Sequence, residues 1–269
     1  MGTHKLAGFT IIETMLFLGI SGALVVGLIA SSGASLNTQR YRDAAESFKT
    51  TLQQQYSDLI SVQNSRDDSW SCGPSATPTN TGSVRENRGQ SDCSLLGKYV
   101  RLEDEKISIY KVVGYETDST SPTNDIDQLK SNYVLNIVRD EVESNTLEWG
   151  AFIAYPSIVN NTPNPTPQSP RKMGILIVRS PNSGQIYTFS NAANDVPLDA
   201  DITSTTLNNM LVAGDSIPGQ GAQLICVNSG GFLANNDRAV MIDKFATGAS
   251  AVELQTNDFL TSRGTNTQC

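Results

Sequence analysis

From Phe9 to about Ala30 the chain is apolar, interrupted only by Glu13, Thr10, Thr14, Ser21 and glycines. A run of ~20 such residues is long enough to cross a bilayer as a helix. The lone carboxylate near its start is the sharper constraint. An Asp-type charge at the centre of a spanning helix costs roughly 2.5–3.5 kcal/mol on insertion scales, so an acid inside the membrane asks for a partner. A short leader, Met1–Gly8, precedes the run and ends in Gly.

Other N-terminal signals fit less well. A secretory signal peptide has an apolar stretch of ~7–15 residues followed by a small-residue cleavage site. Ala30-Ser31-Ser32-Gly33-Ala34-Ser35 offers such a site, but neither that signal nor a plain single-pass anchor gains anything from Glu13. N-myristoylation of Gly2 fails because Leu6 stands where Ser or Thr is required. His4 and Lys5 before the run, with Arg40 and Arg42 beyond it, put cations on both flanks and vote only weakly on orientation.

The helical signal continues past Ala30. Tyr41, Ala45, Phe48, Leu52, Tyr56 and Leu59 recur at three- and four-residue steps, an amphipathic stripe. One helix is expected from Phe9 to Val62, about 80 Å long at ~1.5 Å per residue. Asn64–Gly97 is rich in Ser, Asn, Asp, Gly and Pro and reads as loop. Strand-like runs come next at Lys98–Leu102, Lys106–Tyr115, Tyr133–Arg139 and Gly150–Tyr155. Asn160–Pro170 reads as an exposed excursion. Strands resume at Met173–Arg179 and Gln185–Ser190, joined by the turn Ser180-Pro181-Asn182-Ser183-Gly184. A short helix at Thr203–Val212 and closing strands at Gln223–Val227, Ala239–Asp243 and Ala251–Leu254 complete an α+β pattern.

The block Gly8-Phe9-Thr10-Ile11-Ile12-Glu13, together with the apolar run, resembles the type III signal of type IV prepilins. The resemblance implies that a membrane peptidase cuts after Gly8 and leaves Phe9 as a new, N-methylated N-terminus. It implies that Glu13 neutralises the Phe9 ammonium of a neighbouring subunit during assembly. The physics agrees, since removing one partner of a buried ion pair costs ~3–5 kcal/mol, and such a pair forms at only one stagger of the helices. The fold implied is that of type IV pilins: a long N-terminal helix, membrane-spanning in its first half, packed on an antiparallel β-rich globular head.

The formal net charge is −8, from 19 basic and 27 acidic residues. Loss of the leader removes Lys5 alone, leaving 18 against 27, or −9. An acidic exterior suits a secreted surface protein and argues against nucleic acid as a partner. The only short basic cluster, Arg171-Lys172 with Arg179, reads as a solvated loop end before a strand. Cys72, Cys93, Cys226 and Cys269 all lie beyond the span, without the Cys-x-x-Cys spacing of zinc or redox sites. Cys72–Cys93 with Cys226–Cys269 is the simplest of three possible pairings. It would contribute roughly 3 and 4 kcal/mol by loop entropy, and the second bridge would pin the last residue, as a C-terminal disulfide loop does in many type IV pilins. Free buried thiols are the alternative if the compartment is not oxidising.

Nothing points to catalysis. His4 is the only histidine and would leave with the leader, so no His-based triad or metal ligand would remain. Nucleophile-elbow, phosphate-loop and dinucleotide fingerprints do not occur. Ser108-Ile109-Tyr110-Lys111 matches Ser-x-x-Lys but lies in a strand-like run without companion motifs. Asp195, Asp199 and Asp201 cluster in one stretch, and Asp125 with Asp127 in another. Oxygen-rich loops suit Ca²⁺, but neither matches an EF-hand, and no metal site is assigned.

The chain is therefore read as a leader (1–8), a pilin helix (9–62, with 9–30 transmembrane before assembly), a variable loop region (63–97) and a β-rich head (98–269). The expected function is a structural subunit of a type IV pilus serving surface adhesion or twitching-type motility, the large head favouring a minor or tip pilin. The expected partners are other pilin subunits, the prepilin peptidase, the membrane before assembly and an unnamed host or surface ligand, with nucleic acid not among them. Localisation would be the cell membrane, then an extracellular pilus. No enzyme activity, cofactor or metal is expected. A pseudopilin of a type II secretion or DNA-uptake system, and a non-polymerising anchored binding ectodomain, stay open as alternatives.

Overall fold

The computed structural model describes residues 10–61, 70–80, 91–120, 124–159, 161–191, 202–211, 223–231, 233, 237–243, 246–262 and 267–269. Helix α1 (Ile11–Ser61) is unbroken over 51 residues, about 75 Å at ~1.5 Å per residue. Phe9 and Val62, the expected ends, lie outside the described residues. After α1 come β1 (Trp70–Cys72), β2 (Pro78–Asn80), β3 (Cys93–Glu103), β4 (Lys106–Glu116), α2 (Asp125–Ser131), β5 (Tyr133–Ile137) and β6 (Glu143–Thr146). Next are β7 (Phe152–Ala154), β8 (Ile158–Val159), β9 (Thr162–Pro163), β10 (Lys172–Arg179) and β11 (Ile186–Asn191). The chain closes with α3 (Ser204–Met210), β12 (Gln223–Asn228), β13 (Arg238–Ile242), β14 (Val252–Thr256) and α4 (Asn257–Ser262).

Two antiparallel sheets enclose the second half of α1. The larger orders its strands β11-β10-β3-β4-β5, with β6 also paired to β4; the smaller runs β14-β13-β12-β7. The helical stripe Tyr41, Ala44, Ala45, Phe48, Leu52, Tyr56 and Leu59 is buried to 4% exposure or less. It packs against Val100, Ile109 and Ile175 of the larger sheet and Ile225, Val240 and Val252 of the smaller one in one continuous cluster. At roughly 1.5–3 kcal/mol for each large side chain buried, this stripe is the main cohesive element between the sheets. Polar tips are satisfied along it. Tyr41 Oη donates to Val227 O at 2.8 Å and accepts from Arg238 N at 2.9 Å. Thr188 Oγ1 donates its single proton to Ala246 O at 2.8 Å, so Tyr56 Oη, 2.9 Å away, is the donor to Thr188.

The larger sheet is buried on both faces. Met173, Ile175 and Ile177 of β10 face α1, while Leu176 and Val178 join Leu129 of α2 and Leu207 of α3 in a second cluster. That alternation is the period of two of an extended strand. In β3 the parity changes: Leu96 lies in the outer cluster although Val100 and Leu102, at the same even positions, face the helix. A bulge between Leu95 and Gly97 in the β3–β4 ladder accounts for this, because one inserted residue turns every later side chain to the other face. A Cβ at Gly97 would stand 2.3 Å from Ile177 O, so only glycine fits there. The outer face of the smaller sheet is covered by Leu260 of α4 and the Cys226–Cys269 disulfide.

Several local expectations need correction. The stretch 63–97 is not loop throughout: β1 and β2 form a hairpin, and β3 begins at Cys93 rather than Lys98. The Cys72–Cys93 disulfide ties that hairpin to β3, which lets short polar strands persist without an apolar pattern of their own. Asp125 and Asp127 are not loop residues but the first turn of α2, where Asn124 is the N-cap and its Oδ1 accepts from Asp127 N at 2.8 Å. An amide cap followed by acids is a helix-start pattern. Strand β6 carries Glu-Ser-Asn-Thr and no buried residue, so no periodicity announces it; its pairing with β4 alone defines it.

Glu103 joins Arg101, whose Nη2 donates to it at 2.6 Å, to Lys172, with which it makes an ion pair. The Lys172 hydrogen bond, more than the Arg101 charge, holds the Glu103 carboxyl below the usual 4.5. A carboxyl depressed in the folded state stabilises above its unfolded value, and that contribution is lost as pH falls through the folded value. The Glu103 side chain is partly open to solvent, at 30% exposure, so screening keeps the effect small. The expected result is that Glu103→Gln flattens the acid limb of the melting-temperature profile below pH ~4.5; an unchanged limb would remove Glu103 from the account. Phe48→Ala in the full chain in mild detergent should cost about 3–5 kcal/mol in urea unfolding. A loss under ~1 kcal/mol would mean that the stripe is not the core.

Candidate functional site

The first half of α1 has no protein around it. Exposure runs from 76% at Ile11 to 68% at Ile29, with Phe17 at 71%. An 18-residue window has mean hydropathy 2.1 and none of it is buried. Ile11–Ile29 spans about 28 Å at ~1.5 Å per residue, close to the ~30 Å hydrocarbon core of a bilayer. This is one helix long and apolar enough to cross a membrane. The stripe ends and the exposed surface begins at Tyr41, so a single rigid element passes from protein core to bare apolar rod.

Glu13 sits in the first turn of that rod and is exposed. Its Oε2 accepts from Thr10 N at 3.2 Å and from Thr10 Oγ1 at 3.2 Å. In return Thr10 Oγ1 accepts from Glu13 N at 3.3 Å. These reciprocal bonds make a capping box, in which a Thr and a Glu three residues later satisfy orphan donors at a helix start. The carboxylate also lies at the positive end of the helix dipole. Glu13 therefore has an intrachain role that an argument from membrane cost alone does not supply. Its Oε1 takes no hydrogen bond among the described residues, leaving that oxygen for a donor from outside.

Gly8 and Phe9, the expected cleavage and methylation positions, lie outside the described residues, as do His4, Asp195, Asp199 and Asp201. The cysteines pair as Cys72–Cys93 and Cys226–Cys269, with Cα separations of 5.8 and 5.5 Å. Asp125 is committed to protein donors: Tyr187 Oη at 3.0 Å and the Ser183 hydroxyl both reach its Oδ2. Among the described residues no group of three or more His, Cys, Asp or Glu could hold a metal ion.

The basic cluster is dispersed by strand geometry, and it is not a solvated loop end. Arg171 is 7% exposed, donates Nη1 to Leu224 O at 3.0 Å and lies 5.7 Å over the Tyr155 ring; burial lowers its pKa. Lys172 points to Glu103, and Arg179 Nε donates to Gly184 O at 3.2 Å. Ser108 and Lys111 are three apart in β4, which puts them on opposite faces of the sheet. Ser108 is buried while Lys111 pairs with Glu141, so the two do not converge on a reacting centre.

Comparison with known proteins returned no matching family model, no matching curated protein and no matching solved structure.

The capping box makes its own prediction. Thr10→Val removes the hydroxyl at nearly constant volume and should fray the first helical turn, at about 1 kcal/mol of local stability. Hydrogen exchange at the amides of residues 11–14 in micelles should rise several-fold. Unchanged exchange would show that the Thr10–Glu13 bonds do not hold the helix start.

Proposed function

We propose that this chain is a type IV pilin-like structural subunit, processed after Gly8 and polymerised through its N-terminal helix. The observation that carries this reading is the division of α1 into a bare apolar half and a buried half. An exposed apolar rod of this length is stable only in lipid or against other apolar rods. Lipid would hold the subunit before assembly, and the helices of neighbouring subunits would replace it in the filament. Glu13 supports the second step: its free Oε1 stands ready for an ammonium, and the resemblance at Gly8–Glu13 names the Phe9 ammonium of a neighbour. The capped carboxylate would enter that contact already ordered by Thr10, so little entropy is lost on pairing.

Two disulfides favour an oxidising, exported location for the head. Adhesion or twitching-type motility is the role proposed for the filament, with a minor or tip position suited to a head of this size. A pseudopilin of a type II secretion or DNA-uptake system would use the same helix and the same carboxylate. One observation favours a different reading, an anchored ectodomain that never polymerises: the capping box gives Glu13 a purpose without any neighbour.

N-terminal sequencing and a Glu13 substitution separate these readings. A pilin-like subunit begins at Phe9, and Glu13→Val abolishes or severely reduces its entry into filaments while leaving processing intact. Retention of Met1–Gly8 with a monomer in detergent would establish the anchored ectodomain instead. Wild-type filament entry by Glu13→Val would sink the charge-pairing account.

A further inference from the structure

The inner face of the larger sheet extends beyond the helix that covers it. Ile107 and Ile109 of β4 pack in the helix-facing core, and Lys111 and Val113 continue that face at the period of two. Near its end α1 reaches this face at Lys98, whose Nζ lies 3.6 Å from Asp58 Oδ2. Lys98 stands opposite Lys111 in the β3–β4 ladder. Next to Lys111 the β1–β2 hairpin forms a wall, and a cavity of about 60 Å³ lies between wall and sheet. Trp70, Pro78, Leu95, Val113 and Val138 line it. All five are half-buried, and none belongs to a core cluster. Cys72 is the one buried residue in the two hairpin strands, and its disulfide to Cys93, which also lines the cavity, fixes the wall to the sheet. A hairpin with little core of its own, tied down around an apolar cavity, makes a preformed pocket.

We propose that this cavity binds the neutral pyranose at the end of a glycan chain. The proposal deepens, and rests on, the surface-adhesion role given above, and it does not require polymerisation. Lys111 and Glu141 complete the lining and form an ion pair with each other. Each lysine on this face thus has its own acid, Asp58 for Lys98 and Glu141 for Lys111. A charged ligand is disfavoured, because displacing either partner leaves the other charge unpaired. A wholly apolar ligand fails for the opposite reason: it covers the pair without replacing its water. Adjacent hydroxyls satisfy both groups at once. Each oxygen can accept from the ammonium and donate to the carboxylate while the ion pair stays intact. A pyranose joins such hydroxyls to a C–H face that suits an indole and two valines. Size agrees as well. A cavity of about 60 Å³ holds roughly four to six waters at ~10–15 Å³ each, the scale of one ring, so the rest of a glycan would lie outside.

The test uses the full chain in a sugar-free detergent, with methyl glycosides of glucose, galactose, mannose and N-acetylglucosamine as probes. Binding is read by saturation-transfer NMR. At least one glycoside should bind with a Kd on the order of 1 mM, its ring C–H protons receiving more saturation than its methyl group. Trp70→Ala and Glu141→Ala should each weaken binding at least about tenfold with an unchanged melting temperature, and Trp70→Phe should retain part of it. Glu141 is 41% exposed, so its substitution leaves the fold intact. In a Trp149→Phe background Trp70 is the sole tryptophan, and its emission should shift as the glycoside saturates. The same sugar immobilised through its anomeric oxygen should retain the wild-type chain on a column. Binding by none of the glycosides overturns the site, as does equal binding by both alanine variants or an unmoved Trp70 emission. Binding of octanoate or N-acetylneuraminate in place of the glycosides overturns it in favour of an apolar or an anionic ligand. Free glycoside bound without column retention overturns the chain-end assignment. Glu13→Val should bind as the wild type does, so loss of the site leaves processing and filament entry to decide the assembly reading separately.

Discussion

The burial of one helical stripe between two sheets is the interaction on which the rest depends. Tyr41 to Leu59 supply the apolar face that both sheets share. Without it the larger sheet would keep its packing against α2 and α3, but its inner face and that of the smaller sheet would lie open to water. The helix is thus the connecting core of the head. Tyr41 and Tyr56 add polar bonds to β12, β13 and β11, and these fix the rotation and axial position of α1 that a smooth apolar stripe alone leaves loose.

Because the helix is held so firmly over its second half, its first half is presented at a defined angle. The same covalent rod obeys two solvents: periodic amphipathicity where protein surrounds it, near-uniform apolarity where protein does not. Glu13 is the exception in the apolar half, and its capping by Thr10 shows how a single helix can lower the cost of carrying a charge there. Under the proposed assembly the carboxylate keeps one oxygen on its own chain and offers the other to a neighbour. Local order and recognition then use the same group.

Legibility in the sequence tracks burial pattern. Strands buried on one or both faces, such as β4 and β10, announce themselves through β-branched and aromatic residues between turns. Helix α1 does so through residue spacing. Elements defined by pairing rather than by an apolar face, namely β1, β2 and β6, leave little apolar trace, so their polar residues resemble loop. The Leu95/Gly97 bulge is likewise silent until the ladder is seen, although it decides which core Leu96 enters. The Thr10-x-x-Glu13 cap is different. It is spelled out in the sequence, and the cost of a charge in lipid simply overshadows it.

The sequence by itself determined the long helix, its division into a uniformly apolar and an amphipathic half, the lone acid near its start and the α+β order of the elements after the helix. Each of these is a periodicity or a composition, properties that one chain carries without folding. Only the tertiary structure decided that the amphipathic half is clasped by two sheets and that Arg171 is buried rather than solvated. It alone placed Trp149 over Arg40 where the helix leaves the head. Those outcomes depend on contacts between residues far apart in the chain, such as Tyr41 with Val227 and Arg40 with Trp149. No local signal encodes such contacts, because packing geometry rather than residue type selects the partner.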